Sequence, residues 1–288
     1  MKLSKLIAEP GTKISLNDFK TDYTGDLNKE EAKELLKKNI AELSVLQDVF
    51  WADNRYSLLI ILQAPDAAGK DGVVKHVMSG LNPQGCVVSS FKTPSSLELD
   101  HNYLWRHYLA LPERGQIGVF NRSHYENVLV TKVHPQYILN ERLPGYDSVE
   151  KFDKKFWEDR YEQINNFEKG LRQNGTIVLK FFLHLSKDEQ KKRLLERIDR
   201  PEKNWKFSPA DLAERAYWKE YQQAYEEMLT ETSTKFAPWY VIPADHKWFT
   251  RIAIGEIIAE TLKNLDLHYP AAASAEVLEK AKKQLEGE

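Results

Sequence analysis

The most specific chemical signal in the chain is a short run of small and charged residues. Residues 62–72 read LQAPDAAGKDG, between a compact apolar run and a helical pattern. Small residues let backbone N–H groups converge on phosphate oxygens, and the helix that follows adds partial positive charge at its N-terminus. The spacing predicts a phosphate-binding loop, although Ala64 stands where such loops carry their first glycine. Its phosphate-contacting residues would be Ala67, Ala68, Gly69, Lys70, Asp71 and Gly72.

Two carboxylates distinguish this loop from the usual pattern. The position after Lys70 normally carries a Ser or Thr that ligates Mg²⁺, but here it is Asp71, and Asp66 lies inside the loop. A carboxylate next to phosphates is repelled unless a cation lies between them. We therefore predict that Asp66 binds Mg²⁺, with Mn²⁺ as a possible substitute, while Asp71 either faces solvent or caps the helix. The alternative for the whole segment is an Ala/Gly-rich turn with a surface lysine.

A second polar segment, residues 119–126 (VFNRSHYE), ends another strand candidate. Asn121 occupies the position at which phosphate-loop proteins hold their metal with an acidic residue, so it is a second candidate ligand. Arg122 can clamp a phosphate by two parallel hydrogen bonds. Glu126 is a candidate for contact with the nucleotide, but a simple Arg122–Glu126 ion pair is the alternative. His124 suits either acid–base chemistry or a buried structural role.

A charged helical pattern near residues 191–204 predicts a mobile lid. Arg193 and Arg197 are four residues apart and share one helix face, and Pro201 interrupts the helix. A hinged pair of helices carrying arginines can close over phosphates and offset their charge. The alternative is a solvated charged helix with local ion pairs. Five further basic residues are predicted to line a track for a polyanion: Lys75, Lys92, Arg106, Lys203 and Lys206.

Hydrophobic periodicity predicts the elements that position these segments. A helix carrying Leu36, Leu43 and Phe50 on one face precedes strands at 56–62, 86–91, 116–120, 176–185 and 238–242. Helices are expected at 72–80, 97–111, 149–173 and 248–265. Two more are expected between the last two of these, one beginning after a Ser186–Glu189 capping box and one beginning near residue 211. This alternation predicts an α/β fold with a parallel five-stranded sheet between helical layers, and ligands at the carboxyl ends of its strands.

We expect three regions along the chain. Residues 1–28 read as an irregular surface arm, residues 29–268 as one domain with its lid at about 191–218, and residues 269–288 as a loosely attached helical tail. The first ten residues lack the apolar core of a signal peptide, and the apolar runs are too short to span a membrane. We therefore expect a cytoplasmic protein with no membrane partner.

The net charge and the cysteine content limit the kinds of ligand and metal site that the chain can have. The 288 residues include 41 Lys and Arg against 43 Asp and Glu, for a formal charge of −2. The absence of a basic excess argues against a nucleic-acid-binding protein, but a local basic cleft can still attract an anionic substrate. The single cysteine, Cys86, excludes an intrachain disulfide and a four-cysteine metal site.

The two polar segments together resemble the polyphosphate kinase 2 family in its short, single-domain form. Further similar segments follow in order: NPQG at 82–85, SFKTP at 90–94, YLWR at 103–106, LKFFLH at 179–184, NWKFS at 204–208 and APWYVIPA at 237–244. The resemblance extends from about residue 30 to 268. The Asn121 version of the second segment is similar to the subgroup that phosphorylates both nucleoside mono- and diphosphates.

The resemblance implies a P-loop kinase fold like that of thymidylate kinases, and Mg²⁺-dependent transfer of a phosphoryl group between inorganic polyphosphate and AMP or ADP. GMP and GDP are further expected acceptors, and a homotetramer is the expected assembly. Catalytic roles fall to Asp66, Lys70, Arg122, Arg193 and Arg197. An ATP-dependent nucleoside monophosphate kinase is one alternative, and a non-catalytic nucleotide-sensing module is another.

Overall fold

Six strands form a single mixed sheet in the computed structural model, which describes residues 3–25 and 27–288. They are β1 (Ile7–Ala8), β2 (Ser57–Gln63), β3 (Cys86–Ser90), β4 (Ile117–Asn121), β5 (Thr176–His184) and β6 (Trp239–Pro243). Their spatial order is β1-β6-β5-β2-β4-β3. Strands β2 to β6 run parallel to one another, which confirms the five predicted strands with shifts of at most one residue at their ends.

The sixth strand corrects the expectation for the N-terminal segment. β1 pairs antiparallel with β6, so the segment predicted as an irregular surface arm contributes an edge strand. Two residues are too few to produce a periodic pattern. Two later residues of the segment are also attached: Ile14 N donates to Thr230 Oγ1 at 3.0 Å, and Leu16 N donates to Glu226 Oε1 at 2.7 Å.

Twelve α-helices surround the sheet in the described part of the chain. The first six are α1 (Lys29–Asp53), α2 (Lys70–Val77), α3 (Ser96–Leu99), α4 (Trp105–Tyr108), α5 (Val130–Val133) and α6 (Lys154–Gln173). The others are α7 (Lys187–Asp199), α8 (Pro201–Asn204), α9 (Pro209–Ala216), α10 (Trp218–Thr232), α11 (Lys247–Lys263) and α12 (Ala275–Glu286). None of the helices in residues 3–25 and 27–288 has the length and apolarity that a membrane span requires.

The two faces of the sheet bury separate apolar clusters, which gives the predicted layered architecture. One cluster includes Leu43 of α1, Val73 of α2 and Ile254 of α11, and the other includes Ile164 of α6 and Met228 of α10. Because both faces are covered, β2 is buried along its whole length and reads as a continuous apolar run in the sequence.

Several predicted helices have different boundaries in the structure. The single helix expected at 97–111 is two short helices, α3 and α4, and the helix expected at 149–173 begins at Lys154, where Asp153 caps it. Ser186 caps α7 as predicted, but Glu189 does not complete a capping box. The Ser186 N–H is bound instead by Asp245 Oδ1 at 2.9 Å, and Glu189 pairs with Arg193.

Candidate active site

The phosphate-binding loop connects the end of β2 to the start of α2, at the carboxyl edge of the sheet. Gly69 has a φ of +110°, a conformation that favours glycine, and Ala67 has a φ of +61°. Arg193 Nη1 donates to the carbonyl oxygens of Ala67 and Ala68 at 3.2 and 2.8 Å. The strained turn is therefore held from α7 by a buried guanidinium.

Arg193 corrects the expectation of two lid arginines that face phosphates. Its remaining nitrogens bind the carbonyl oxygens of Ala244 and Asp245 at 2.6 and 3.0 Å and Glu189 Oε1 at 2.8 Å. The side chain is 4% exposed. Arg193 also lines the basic cavity that these loops surround. Because its hydrogen bonds go to the protein, it braces the phosphate-binding loop.

Lys70 begins α2 and turns back over the loop. Its Nζ lies 2.8 Å from the carbonyl oxygen of Ala64 and 3.4 Å from that of Pro65. An ammonium has three donors, so at least one remains for a phosphate oxygen. Burial, followed by the nearby charge of Arg122, lowers the pKa of Lys70.

Arg122 lies between two carboxylates where the second polar segment leaves β4. Its Nη2 is 3.1 Å from Asp66 Oδ1, and its Nη1 is 3.3 Å from Glu126 Oε2. The Glu126 charge is the main reason that the pKa of Arg122 is raised. The simple ion pair weighed in the sequence analysis is therefore present, and the guanidinium also reaches open space. Its backbone has a φ of +62°, in the left-handed region.

Asn121 and Asp71 form a direct pair beside this cluster. Asn121 Nδ2 donates to Asp71 Oδ1 at 2.8 Å. Asp71 is exposed, which is the first of its two predicted settings, and it does not cap α2. Residues 3–25 and 27–288 contain no group of three or more His, Cys, Asp or Glu side chains that could hold a metal ion unaided.

A basic cavity of about 510 Å³ opens in front of these residues. Its walls include every predicted phosphate-loop residue and Asp66, Lys92, Asn121, Arg122, Arg193, Arg197, Lys203 and Lys206. Three residues that sequence reasoning missed, Lys247, Thr250 and Arg251, complete the wall from α11. A periodic pattern identified α11 only as a core helix, and its first turns carried no phosphate-binding signal. We call this space the basic basin.

A second cavity, of about 690 Å³, lies on the other side of Arg122. Aromatic and polar residues line it, among them Tyr103, Tyr137 and Asn140. Arg106 and Glu126 belong to this cavity and do not line the basic basin. Arg106 is held by the Lys92 carbonyl oxygen at 2.8 Å, and its guanidinium lies 5.4 Å from the Phe91 ring centroid. We call this space the mixed cavity.

The predicted lid helices carry charges that are paired in this structure. Arg197 Nη1 lies 2.7 Å from Asp211 Oδ2, and Lys203 Nζ lies 3.2 Å from Glu196 Oε2. Lys206 lies over the Trp205 ring. Lys75 is exposed on α2 and lines neither the basic basin nor the mixed cavity.

His124 has the structural role weighed in the sequence analysis. It is fully buried, and its Nε2 lies 3.4 Å from Glu168 Oε1. Glu168 in turn binds the Lys180 ammonium at 2.7 Å and the Tyr125 hydroxyl at 2.6 Å. Burial lowers the pKa of His124, and the side chain lines neither of the two cavities.

Residues 26–270, which carry all of these side chains, match the family model described as Polyphosphate kinase 2 (PPK2). The chain belongs to the polyphosphate kinase 2 family. An ADP-polyphosphate phosphotransferase of Rhodopseudomonas palustris is 53% identical over 266 residues, covering 92% of this chain and 91% of that protein. An AMP/ADP-polyphosphate phosphotransferase of Meiothermus ruber is 42% identical over 275 residues, covering 95% and 97%.

A solved polyphosphate kinase 2 structure confirms the architecture. The crystal structure of polyphosphate kinase 2 from Arthrobacter aurescens TC1 is 39% identical and superposes with a TM-score of 0.87, covering 97% of this chain and 98% of that one. This polyphosphate kinase 2 chain therefore has the expected P-loop kinase fold. Among residues 3–25 and 27–288, the antiparallel β1 is the one strand that the sequence did not predict.

Proposed function

We propose that this polyphosphate kinase 2 transfers a phosphoryl group between inorganic polyphosphate and AMP or ADP, forming ADP or ATP. One observation carries the proposal. The basic basin and the mixed cavity meet at Phe91, Lys92 and Arg122, which line both. A polyanion and a nucleotide can therefore occupy separate spaces while their reacting phosphates meet between two cations. The names of the relatives from R. palustris and M. ruber support these two substrates.

The linings of the two cavities suggest which substrate enters each. Lys70, Lys247 and Arg251 give the basic basin the charge that a polyphosphate chain needs. Tyr103 and Tyr137 offer the mixed cavity the apolar surface that suits a nucleoside. The acceptor's terminal phosphate would then lie near Lys92 and Arg122. Lys70 would contact the polyphosphate chain.

The chain's own residues fit a divalent cation, Mg²⁺ or its substitute Mn²⁺. Asp66, Asp71 and Asn121 carry hard oxygen atoms at the edge of the basic basin. Mg²⁺ is commonly bound by one or two carboxylates together with substrate phosphates, so the small number of carboxylates suits this ion. When bound, the metal would offset the negative charge of the phosphates. Asp66 and Asn121 would hold it.

The remaining residues align and neutralise the reactants. The acceptor is a phosphate oxygen whose second pKa is near 6, so it is already ionised at pH 7 and needs no strong general base. Catalysis then rests on in-line positioning and on fixed positive charge. Arg122 and Lys70 supply that charge from the loops. Arg197 supplies it from the lid once it leaves Asp211, and Arg193 keeps the loop in shape.

Two expectations from the family resemblance belong to the same proposal. GMP and GDP should serve as acceptors as well as AMP and ADP, since the mixed cavity has room for either purine. The protein should also assemble as a homotetramer. Light scattering of the purified protein would then give a mass near that of four 33.5 kDa chains, and a mass of one chain would refute this assembly.

The deciding experiment separates donors and acceptors. The protein is incubated with Mg²⁺, one acceptor (AMP or ADP) and one donor (polyphosphate or, for AMP, ATP), and the nucleotides are resolved. We expect product from both acceptors with polyphosphate. Product from AMP with ATP alone would support an ATP-dependent nucleoside monophosphate kinase. Nucleotide binding without product in any mixture would support a sensing module.

A further inference from the structure

Gln63, the last residue of β2, forms a contact between the two polar segments that the mechanism above does not use. It is 1% exposed. Its amide matches all of its neighbours in one of its two orientations: the oxygen then accepts hydrogen bonds from Ser123 N at 3.1 Å and Ser123 Oγ at 3.0 Å, and Nε2 donates to Glu126 Oε1 at 3.0 Å. In the other orientation Nε2 donates to Ser123 Oγ and the contact with Glu126 is lost. Ser123 Oγ also accepts from the backbone N–H of Tyr125 at 3.2 Å. The amide thus secures the turn that directly follows Arg122.

Only a side chain with one acceptor end and one donor end satisfies both contacts. A carboxylate has no donor, and an aliphatic side chain has neither group. Because Ser123 is fully buried and Gln63 nearly so, an unmatched polar atom there is costly. The pairing is therefore specific to the amide.

Gln63 is the first of four side chains that are linked in a row by a hydrogen bond and two ion pairs. Gln63 binds Glu126 Oε1, Glu126 Oε2 binds Arg122 Nη1, and Arg122 Nη2 binds Asp66 Oδ1. Asp66 lies three residues after Gln63 on the same loop, so the row connects the phosphate loop to the second polar segment at both ends. The only member that reaches both cavities is the guanidinium of Arg122.

We propose that Gln63 is a positioning residue, which holds Glu126 so that Arg122 points to the junction of the basic basin and the mixed cavity. The proposal rests on the proposed function, because it needs Arg122 to act on the transferred phosphate. Gln63 itself touches neither substrate: among the residues described, it lines neither of the two cavities.

Gln63→Glu tests the requirement for a donor, because its protonation restores one. Buried beside the Glu126 carboxylate, the new side chain has a raised pKa, because both burial and a like charge disfavour ionisation. The neutral acid can donate to Glu126 and accept from Ser123, as the amide does. The ionised form repels Glu126 and releases Arg122. Activity should therefore be retained at low pH and lost as the pH rises.

Other charged or titratable groups also surround Glu126, and they would affect the pH dependence of the variant and of the wild type alike. They come from the phosphate loop, α4, the lid and α10: Asp66, Lys70, Arg106, Asp211, Glu214, Tyr221 and Tyr225. Dividing the kcat/KM of the variant by that of the wild type at each pH removes their common contribution. We expect this ratio to fall at least tenfold between pH 6 and pH 8.5.

Gln47→Glu is the matched control. Gln47 is also 1% exposed and also uses both ends of its amide, donating to the Asn82 carbonyl oxygen at 3.0 Å and accepting from Asn82 N at 2.7 Å. It lies away from both cavities, so its kcat/KM ratio should stay level in folded protein. A level ratio for Gln63→Glu, or an equal fall in both variants, would overturn the proposal.

Gln63→Met provides a second test that does not depend on the folding of a buried carboxylate. Methionine is similar in length but lacks both hydrogen bonds, so we expect kcat to fall at least tenfold at every pH, with little change in the KM for polyphosphate. Unchanged kcat would refute the proposal. Failure of the proposed function looks different, because wild type itself would then show no polyphosphate-dependent turnover.

Discussion

At the scale of single residues, Asn121 is held by a carboxylate. Its amide donates to Asp71 at 2.8 Å, and Asp66 lies nearby on the same loop. An aspartate at position 121 would therefore meet two existing carboxylates as well as the acceptor's phosphate. A neutral amide avoids this accumulation of negative charge beside the proposed position of the acceptor's terminal phosphate.

Asn121→Asp should lower the ratio of AMP to ADP turnover. The dianionic phosphate of AMP must come close to position 121, whereas ADP can hold its inner phosphate elsewhere. The measurement is kcat/KM for both acceptors at saturating polyphosphate and fixed Mg²⁺. An unchanged or higher preference for AMP would show that acceptor choice lies elsewhere, with Glu126 the next residue to test.

The double variant Asn121→Asp with Asp71→Asn tests whether the position of the negative charge matters. It restores the pair with donor and acceptor exchanged, and it leaves the total charge unchanged. If negative charge at position 121 decides acceptor choice, the AMP to ADP ratio stays low. A return to the wild-type ratio would instead assign the effect to the lost hydrogen bond or to the total negative charge of the cluster.

Lys70→Ala should reduce kcat by roughly 10²–10³-fold, the usual loss when one preorganised charge donor is removed. Its Nζ already lies over the loop, so little rearrangement is needed for it to meet a phosphate. Lys37→Ala, an exposed lysine of α1, is the control and should match wild type. A loss of less than about tenfold in Lys70→Ala would contradict its assigned role.

At the scale of elements, α7 carries two arginines one turn apart with opposite surroundings. Arg193 is buried and donates to four backbone carbonyl oxygens, whereas Arg197 is partly exposed and pairs with Asp211. Sequence spacing places both on one face of the helix but cannot show which one faces a cavity. The tertiary packing decides that difference, because it places Arg193 against the phosphate-binding loop.

Replacing each arginine should therefore give opposite results. Arg193→Ala leaves several buried carbonyl oxygens unpaired and should lower the free energy of unfolding by at least about 1–3 kcal/mol. Arg197→Ala should cost less stability, because its pair with Asp211 is partly exposed and it binds one backbone carbonyl oxygen where Arg193 binds four, yet reduce kcat. Urea titrations and steady-state rates measure both. Equal stability losses in the two variants would disprove the division of roles.

The sequence predicted elements that are long and periodic, and it failed where contacts between distant residues decide the structure. β2, β4 and β5 and the phosphate loop were located because apolar runs and small residues mark them directly. The Gln63 contact to Glu126, the carbonyl contacts of Arg193 and the α11 wall of the basic basin join segments that sequence separates widely. No local pattern encodes such contacts.

At the scale of the whole molecule, the charge is unevenly distributed. The formal charge of the chain is −2, yet nine Lys and Arg side chains line the basic basin against Asp66, Asp71 and Glu196. A concentrated positive field in a cleft attracts a polyanion more strongly than a small nucleotide. The predicted local basic cleft therefore coexists with a weakly acidic protein.

Arg251→Ala should raise the KM for polyphosphate several-fold and leave the KM for AMP unchanged, because Arg251 lines the basic basin and not the mixed cavity. The control is Arg172→Ala, an exposed arginine of α6 on the opposite face of the sheet. Steady-state kinetics with each substrate varied in turn provide the values. A parallel rise in both KM values would argue against separate spaces for the two substrates.

A chain lacking residues 1–21 should unfold at a lower temperature than the full chain and lose activity. Those residues supply β1 and the contact of Thr21 Oγ1 with Asp245 Oδ2 at 2.8 Å. Asp245 also binds the N–H of Ser186, at the start of α7. Removing residues 275–288, which are exposed throughout, is the comparison and should change neither property. Equal behaviour of both truncations would refute a structural role for β1.

The pairing of β1 with β6 also affects the order in which the protein can mature during synthesis. Residues 7–21 leave the ribosome well before their partners at 239–245, which are translated more than 200 residues later. The same late segment supplies the carbonyl oxygens that Arg193 binds to brace the phosphate loop. Closure of such distant contacts is slow. A nascent chain therefore completes its central strands well before it acquires a competent phosphate site.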